Sequence, residues 1–205
     1  MATIPGVMFV PHAHEVTQIP DGDWIAFGSH GGDTIFGGDG NDIIFGGNGN
    51  DLIVGGHGND MIFGGNGNDM LIGGDGHDTL FGGDGHDTMI GGTSDTLFVG
   101  GRGGDLMISG AGNDTMLGGA GHDTFVFGSG GGRDVVMDFQ HGDVLQIQRN
   151  INGLHVTQAS DLLSHMSSDG HGNTVIDLGH GDSVTLVGVK PEELHHDLSS
   201  YIKIN

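Results

Sequence analysis

Aspartate recurs at intervals of nine residues through the middle of the chain. Most of these aspartates close a six-residue motif with glycine at its first, second and usually fourth positions, as in Gly37–Asp42. Carboxylates and backbone carbonyls are the oxygen ligands that Ca²⁺ takes, about six to eight at a time and in irregular geometry. The spacing therefore predicts rows of calcium-binding loops. The candidate aspartate ligands are Asp33, Asp42, Asp51, Asp60, Asp69, Asp78, Asp87, Asp95, Asp105, Asp114 and Asp123.

The glycines of these motifs are candidate ligands as well, through their backbone carbonyl oxygens. Glycine has no Cβ, so it adopts positive φ readily and lets the backbone approach a bound ion closely. The candidate glycines are Gly38, Gly40, Gly47, Gly49, Gly56, Gly58, Gly65, Gly67, Gly74, Gly76, Gly83 and Gly85.

The nine-residue period divides into a six-residue turn, GGxGxD, and a three-residue strand. Strands this short do not form independent hairpins, so consecutive turns must reverse the chain and two repeats must form one coil of 18 residues. Stacked coils pair each strand in parallel with the strand two further along, about 4.8 Å away. The period predicts an all-β protein, a solenoid of such coils that forms a parallel β-roll.

The coils place the aspartates in two rows, one on each edge of the roll. One row runs from Asp33 to Asp123 and the other from Asp42 to Asp114, with 18 residues between neighbours. Each gap offers two carboxylates, which gives nine candidate sites. The unit GGTSDTLFV is irregular, because it puts Asp95 one residue early before Val99 restores the phase. We expect poorer sites beside Asp95, and about seven to nine calcium ions in all.

The net charge of the chain indicates what kind of partner it has. It carries 27 acidic and five basic side chains, a formal charge of −22. Two carboxylates about 5 Å apart repel by roughly 3 kcal/mol at an effective dielectric constant of 20. A ladder of such pairs exceeds the total stability of an ordinary domain, about 5–15 kcal/mol. We therefore expect the roll to need bound cations, and the charge excludes nucleic acid and anionic membranes as partners.

Several other classes of protein are excluded by what the sequence lacks. The chain has no cysteine, hence no disulfide or thiolate metal site. It has no apolar run long enough to span a membrane. Its first eleven residues lack a basic region, and Pro5 and Pro11 interrupt them, so we expect no cleaved signal peptide. Serine-hydrolase, zinc-protease and P-loop motifs are missing, so we expect a protein that is not an enzyme.

Two apolar positions follow each turn. Alternation along a strand points position eight to the opposite face from positions seven and nine, so position eight is predicted to fill the interior. Its residues are Ile35, Ile44, Ile53, Ile62, Leu71, Leu80, Met89, Met107, Met116 and Phe125.

Position nine is expected to face outward. On one face it stacks Phe45, Phe63 and Phe81, followed by Phe98, shifted by one, and then Leu117. A continuous exposed apolar row is rare on a soluble monomer. This face is either an interface for docking or self-association, or a surface that the ends of the chain cover.

The GGxGxDxUx units, in which U is a large apolar residue, resemble the RTX or hemolysin-type calcium-binding nonapeptide repeat. The resemblance covers eleven consecutive units from Gly28 to Val126. It implies a right-handed parallel β-roll that holds Ca²⁺ between successive turns on each edge.

The sequences RDVVMDFQHGDVLQI and GNTVIDLGHGDSVTLVGV are similar to the segment that follows the repeats in many secreted RTX proteins. In that family the segment caps the roll and carries an uncleaved signal for the type I ABC export machinery, which implies a secreted, extracellular protein. We divide the chain into a lead-in segment (1–27), the roll (28–138) and the cap with its export signal (139–205). The elements predicted near the C-terminus are a strand, turn and strand in 133–147, a helix in 157–166 capped by Ser160 or Asp161, a hairpin of 173–178 with 183–189, a helix from Pro191 and an edge strand in 201–205.

The repeats leave three functions open. The first is a non-enzymatic module that folds when calcium binds after export. The second is the RTX portion of a secreted enzyme, such as a serralysin-like protease, a lipase or an alginate epimerase. The third is a calcium-dependent adhesive surface module that uses the phenylalanine face.

Overall fold

The computed structural model describes residues 6–10, 14 and 16–205. Their strands form two sheets, in which most neighbouring strands are parallel. The 11-stranded sheet has the order β1 (Gly6–Phe9), β3 (Trp24–Phe27), β5 (Ile43–Asn48), β7 (Met61–Asn66), β9 (Thr79–Asp84), β11 (Leu97–Arg102), β13 (Thr115–Ala120), β15 (Arg133–Val136), β19 (Asp182–Leu186), β18 (Thr174–Gly179) and β17 (Met166–Ser168). The 9-stranded sheet has the order β2 (Val16–Gln18), β4 (Thr34–Asp39), β6 (Leu52–His57), β8 (Met70–Asp75), β10 (Thr88–Gly92), β12 (Leu106–Gly110), β14 (Thr124–Phe127), β16 (Val144–Ile147) and β20 (Ile202–Ile204).

From β1 to β14 the strands alternate between the two sheets, and each pairs in parallel with the strand two further along. Phe45 lies opposite Phe63, and Ile53 lies opposite Leu71, so one coil contains 18 residues. The predicted all-β parallel β-roll is confirmed.

The strands are longer than the three residues predicted. In β5 they cover positions seven, eight and nine of one unit and the two glycines and the next residue of the following unit. The first glycine of each motif lies within the strand and faces the interior. Close packing between coils leaves no room for a side chain at this position. The turn is therefore only positions four to six, and the six-residue turn was wrong.

The interior of the roll is one column of side chains, as predicted. Every position-eight residue from Ile35 to Phe125 has no exposed surface, and the column continues through Val136 and Leu145 beyond the repeats. The methionines at this position are core residues.

The irregular unit does not slip out of phase. Thr96, not Asp95, takes the sixth position, is buried, and donates its N–H to Asp114 Oδ1 at 2.7 Å. Phe98 then lies opposite Leu80 and Met116, fully buried in the core. The placements of Asp95 in the aspartate row and of Phe98 in the outward row were wrong, because this unit also has nine residues, with Asp95 at position five and Thr96 at position six.

The repeat breaks after β14 because the chain adds two residues there. Thr115 pairs with Val135 and Thr124 with Val144, so the register changes from 18 to 20 residues between these coils. The added residues lie in the glycine-rich connection between β14 and β15.

The C-terminal region continues both sheets instead of lying against their faces. β18 and β19 form the predicted hairpin, and β20 forms the predicted edge strand by pairing in parallel with β16. Two 3-10 helices occupy Ile151–Gly153 and Ala159–His165, and two short α-helices follow, α1 (Pro191–His195) and α2 (Leu198–Tyr201). Asp161 caps the second 3-10 helix from its third position together with Gln158.

The sheets also extend to the N-terminal side of the repeats. β1, β2 and β3 pair in parallel with β3, β4 and β5, respectively, within residues predicted to be a lead-in segment. Neither edge of the predicted 28–138 segment coincides with a break in the sheets, and the division into three segments stays a prediction. Pro5 and Pro11, used to argue against a signal peptide, lie outside the described residues. In the described part, no helix has the length and apolar character needed to cross a membrane.

Candidate metal sites along the edges of the roll

The position-six aspartates form a hydrogen-bonded ladder along each edge. The backbone N–H of Asp33 donates to Asp51 Oδ1 at 2.7 Å, and the N–H of Asp51 donates to Asp69 Oδ1 at 2.8 Å. On the other edge, the N–H of Asp42 donates to Asp60 Oδ1 at 2.8 Å. The period of 18 residues places each carboxylate under the amide of the preceding coil, so the predicted rows exist.

The second carboxylate oxygen of these residues is buried and has no hydrogen-bond partner among the described residues. A buried acceptor without a partner costs about 1–3 kcal/mol, more when it is charged, and so demands an explanation. Bound cations would satisfy a row of such buried oxygens. These atoms are the Oδ2 atoms of Asp42, Asp51, Asp60, Asp69, Asp78, Asp87, Asp105, Asp114 and Asp123.

The glycine at position one of each motif lies directly beside the Oδ2 atom of the aspartate at position six. A Cβ built on Gly64 would overlap both Asp69 Oδ2 and the carbonyl oxygen of Gly82 in the next coil. Gly46 has the same relation to Asp51 and to the carbonyl oxygen of Gly64. Carboxylate and carbonyl oxygens therefore converge beside a residue without a side chain, which is the donor set that Ca²⁺ prefers.

The surroundings of the ladder aspartates from Asp42 to Asp143 raise their pKa values. Burial is the largest cause, and the neighbouring aspartates add to it. Together these causes raise the pKa of Asp51 to about 6, of Asp60 to about 7 and of Asp114 to about 8. Hydrogen bonds from the backbone oppose these shifts without cancelling them. A divalent cation would reverse the effect by favouring the ionised carboxylates.

The described residues contain no group of three or more His, Asp or Glu side chains arranged to hold a metal. A site here would consist of carboxylates from neighbouring coils completed by backbone carbonyls. This suits Ca²⁺, which accepts irregular oxygen shells, and does not suit Zn²⁺, which takes four side-chain ligands in tetrahedral geometry.

Two of the predicted aspartates differ from the rest. Asp33 Oδ2 accepts hydrogen bonds from the N–H and the hydroxyl of Ser29, at 2.6 and 3.0 Å. Asp95 is exposed at position five, where its Oδ1 accepts the N–H of Asn113 at 2.7 Å. The remaining predicted aspartates lie in the two rows as expected.

Two ladder residues lie beyond the repeats and were missed. Asp134 Oδ1 accepts the N–H of Asp114 at 2.9 Å, and Asp143 Oδ1 accepts the N–H of Asp123 at 3.0 Å. Both side chains are buried. The sequence feature that could have revealed these two residues is their spacing of nine, although Asp134 follows Asp123 by eleven residues.

Position five carries a second ladder on the outside of each turn. Asn50 Oδ1 accepts the N–H of Asn68, and Asn68 Oδ1 accepts the N–H of His86, both at 2.8 Å. His86 continues the series, because its Nδ1 accepts the N–H of Gly104 at 2.8 Å. His86, which replaces asparagine in its turn, therefore serves as a hydrogen-bond acceptor between coils.

The model of the RTX calcium-binding nonapeptide repeat family matches the chain in four copies, at residues 27–62, 63–98, 90–125 and 99–136. These matches cover more than half of the chain and coincide with the two aspartate ladders. The chain belongs to this family and is a calcium-binding β-roll.

Solved structures similar to this chain include a lipase and a subunit of an epimerase. One is the extracellular lipase LipA from Serratia marcescens, 21% identical, with a TM-score of 0.35 and coverage of 100% of this chain. This chain spans 41% of that lipase. The other is the AlgE6R3 subunit from the Azotobacter vinelandii mannuronan C5-epimerase, 20% identical, with a TM-score of 0.25 and coverage of 89% of this chain and 83% of that one. No curated protein matched the chain.

Proposed function

We propose that this chain is a secreted, non-enzymatic module that folds when Ca²⁺ binds along both edges of the roll. The proposed ligands are the position-six aspartates together with the carbonyl oxygens of the motif glycines. The observation that carries the proposal is the set of nine buried Oδ2 atoms that have no hydrogen-bond partner in the described part of the chain.

The number of gaps in the ladders supports binding of about seven to nine calcium ions per chain. Five gaps lie between Asp33 and Asp123 on one edge, and the gaps from Asp42 to Asp78 add two on the other. The steps from Asp114 to Asp134 and from Asp123 to Asp143 provide two more. Thr96 supplies no carboxylate, so the gaps on either side of it are left out.

Calcium binding is coupled to folding in this proposal. The sites consist of residues from different coils, so they do not exist in the unfolded chain, and the free energy of binding becomes free energy of folding. In a cytosol with little free calcium, repulsion between the acidic repeats keeps the chain expanded. Calcium outside the cell then neutralises the ladders and closes the roll.

Residues 139–205 serve two roles in this proposal. Their strands β19 and β20 pair with β15 and β16 and so cover the last coil of the roll. They also carry the uncleaved signal for the type I ABC export machinery. Deleting residues 139–205 should abolish export from cells that express such a transporter, whereas fusing this segment to an unrelated unfolded passenger should confer it.

The proposal includes self-association through the face that bears Phe45, Phe63 and Phe81. These rings are half-buried, and they stack on one another along the outside of the 11-stranded sheet.

Equilibrium dialysis against Ca²⁺ tests the function directly. We expect about seven to nine bound ions per chain, with Mg²⁺ a poor competitor because it demands octahedral geometry and keeps its waters. One or two bound ions, or equal competition by Mg²⁺, would contradict the proposal. Lipase, protease or epimerase activity in the purified chain would contradict its non-enzymatic part.

A further inference from the structure

We infer that the outer face of the 11-stranded sheet, from β1 to β13, binds a second copy of this chain. We call it the phenylalanine face. It consists of the outward positions seven and nine of these strands. The inference deepens the proposed function, since it requires the calcium-loaded roll.

Five phenylalanine rings run in one row along this face. Phe9, Phe27, Phe45, Phe63 and Phe81 stack with centroid separations of 5.3, 5.0, 4.7 and 4.7 Å and nearly parallel planes. Val99 and Leu117 extend the row. Because the rings cover one another's faces, their edges are left to form the outer surface.

A second apolar row lies beside the rings at position seven. Val7, Met61 and Leu97 are 56%, 39% and 37% exposed, respectively. The two rows together form an apolar strip that Thr79 and Thr115 interrupt at position seven. Extended apolar strips on soluble proteins usually mark an interaction site.

The C-terminal region, as far as the structure describes the chain, does not lie over this face. The helices of the C-terminal region pack against β16, β17, β18 and β20, at the end of the roll. Among the described residues, therefore, residues 139–205 do not lie over Phe45, Phe63 and Phe81, and the alternative in which the C-terminal end covers them is wrong.

The charge distribution on this face favours a second copy as the occupant. Strands β1 to β13 of this sheet contain one acid and one base, Asp84 and Arg102, which pair with each other at 3.6 Å. The aspartate ladders lie on the edges, so two copies can meet on this face without bringing their ladders together. The equivalent strands of the 9-stranded sheet contain no Lys or Arg and carry Asp39 and Asp75, of which Asp75 pairs with His57 Nδ1 at 2.9 Å.

The area of the face suits a dimer of modest affinity. Seven strands spaced about 4.8 Å apart and about 20 Å long cover about 600 Å². Two copies would bury about 1,200 Å² in total, the lower end of the range for specific interfaces. A two-fold axis that lies in the plane of the interface brings the same surface of both copies together.

Sedimentation velocity of the calcium-loaded full chain tests this inference, over about two orders of magnitude in concentration. The informative variant is Thr79→Lys with Thr115→Lys, which adds charge to position seven and keeps every ring. Its matched control is Thr88→Lys with Thr124→Lys, at position seven of the other sheet. Far-UV circular dichroism and calcium dialysis establish that both variants fold.

We expect a concentration-dependent dimer in the wild type and in the control, and at least tenfold weaker association in the Thr79/Thr115 variant. Phe63→Ser with Phe81→Ser should act in the same direction. A wild type that stays monomeric while it binds calcium normally overturns this inference and the self-association in the proposed function, but leaves calcium-coupled folding intact. Equal weakening by the control would also overturn it, because the interface would then not be confined to the phenylalanine face.

Discussion

The backbone N–H of Asp51 donates to Oδ1 of Asp69, one coil further along, at 2.8 Å, while Oδ2 of Asp69 is buried with no partner among the described residues. One carboxylate thus has two separate tasks. Its first oxygen joins two coils, and its second is the proposed calcium ligand. The roll is held together by the same residues that make its metal-free form unstable.

Replacing Asp69 should separate these two tasks. In Asp69→Asn the side-chain oxygen still accepts the amide of Asp51, but the charge is lost and an NH₂ group enters the cradle. Asp69 borders two gaps, so we expect two adjacent sites to lose at least about tenfold in calcium affinity, or about 1.4 kcal/mol each. Isothermal titration calorimetry measures the loss.

Asp95→Asn is the matched control for this experiment. Asp95 is exposed, and an asparagine there retains the acceptor for the N–H of Asn113. We expect nearly unchanged calcium binding. An equal loss in the two variants would show that the sixth position has no special role.

Thr96→Asp should repair the interrupted ladder. The substitution places a carboxylate between Asp78 and Asp114, at the position that Thr96 fills in the buried row. We expect one or two additional calcium ions per chain, higher thermal stability with calcium, and lower stability without it. Thr88→Asp, which lies outside the turns, should change none of the ion counts. An unchanged count in Thr96→Asp would contradict the assignment of sites to consecutive ladder positions.

Gly64→Ala should disable a site without removing a ligand side chain. The new methyl group would overlap Asp69 Oδ2 and the carbonyl oxygen of Gly82, both of which are proposed calcium ligands. We expect loss of calcium affinity and a lower melting temperature. Gly128→Ala, where the nearest atom is Gln148 Oε1 at 3.4 Å, is the control. Binding would be unaffected by Gly64→Ala if ions were held elsewhere.

The calcium-free chain should fold better in acid than at neutral pH. Burial raises the folded-state pKa of Asp51 to about 6 and of Asp60 to about 7, from an ordinary value of 3.8. A raised folded-state pKa stabilises the fold fully below the unfolded value, and this stability is lost as pH rises through the folded value. Stability without metal should therefore decline between about pH 4 and about pH 7.

Circular dichroism of calcium-free protein across this window measures the effect. With saturating calcium the slope should reverse, because protons then compete with the metal for the same carboxylates. A calcium-free chain that gains structure as pH rises would contradict the burial of ionisable aspartates in the ladder.

The sequence was sufficient to predict the roll because one short period determined both the fold and the site. A strict spacing of nine, doubled to 18 by the reversal at each turn, is enough to place Asp51 over Asp69 and Ile53 over Leu71. The strand-turn-strand and hairpin near the C-terminus followed from ordinary alternation.

The errors arose where spacing alone was followed. The motif assigned position six to Asp95, whereas backbone stacking keeps nine residues in that unit and buries Thr96 instead. Asp134 and Asp143 were missed because two added residues changed the register at the end of the repeats. The hydrogen bond from each amide to the next carboxylate depends on side-chain direction between coils, which periodicity does not specify.

A calcium titration of the whole chain followed by far-UV circular dichroism tests the central claim most directly. Repulsion within the ladders should leave the chelated chain largely unstructured, and added Ca²⁺ should produce a cooperative rise of β-structure with a sharp thermal transition. Magnesium at the same concentration should not reproduce it. A chelated chain that keeps its full β signal and melts sharply would contradict the claim that calcium folds the roll.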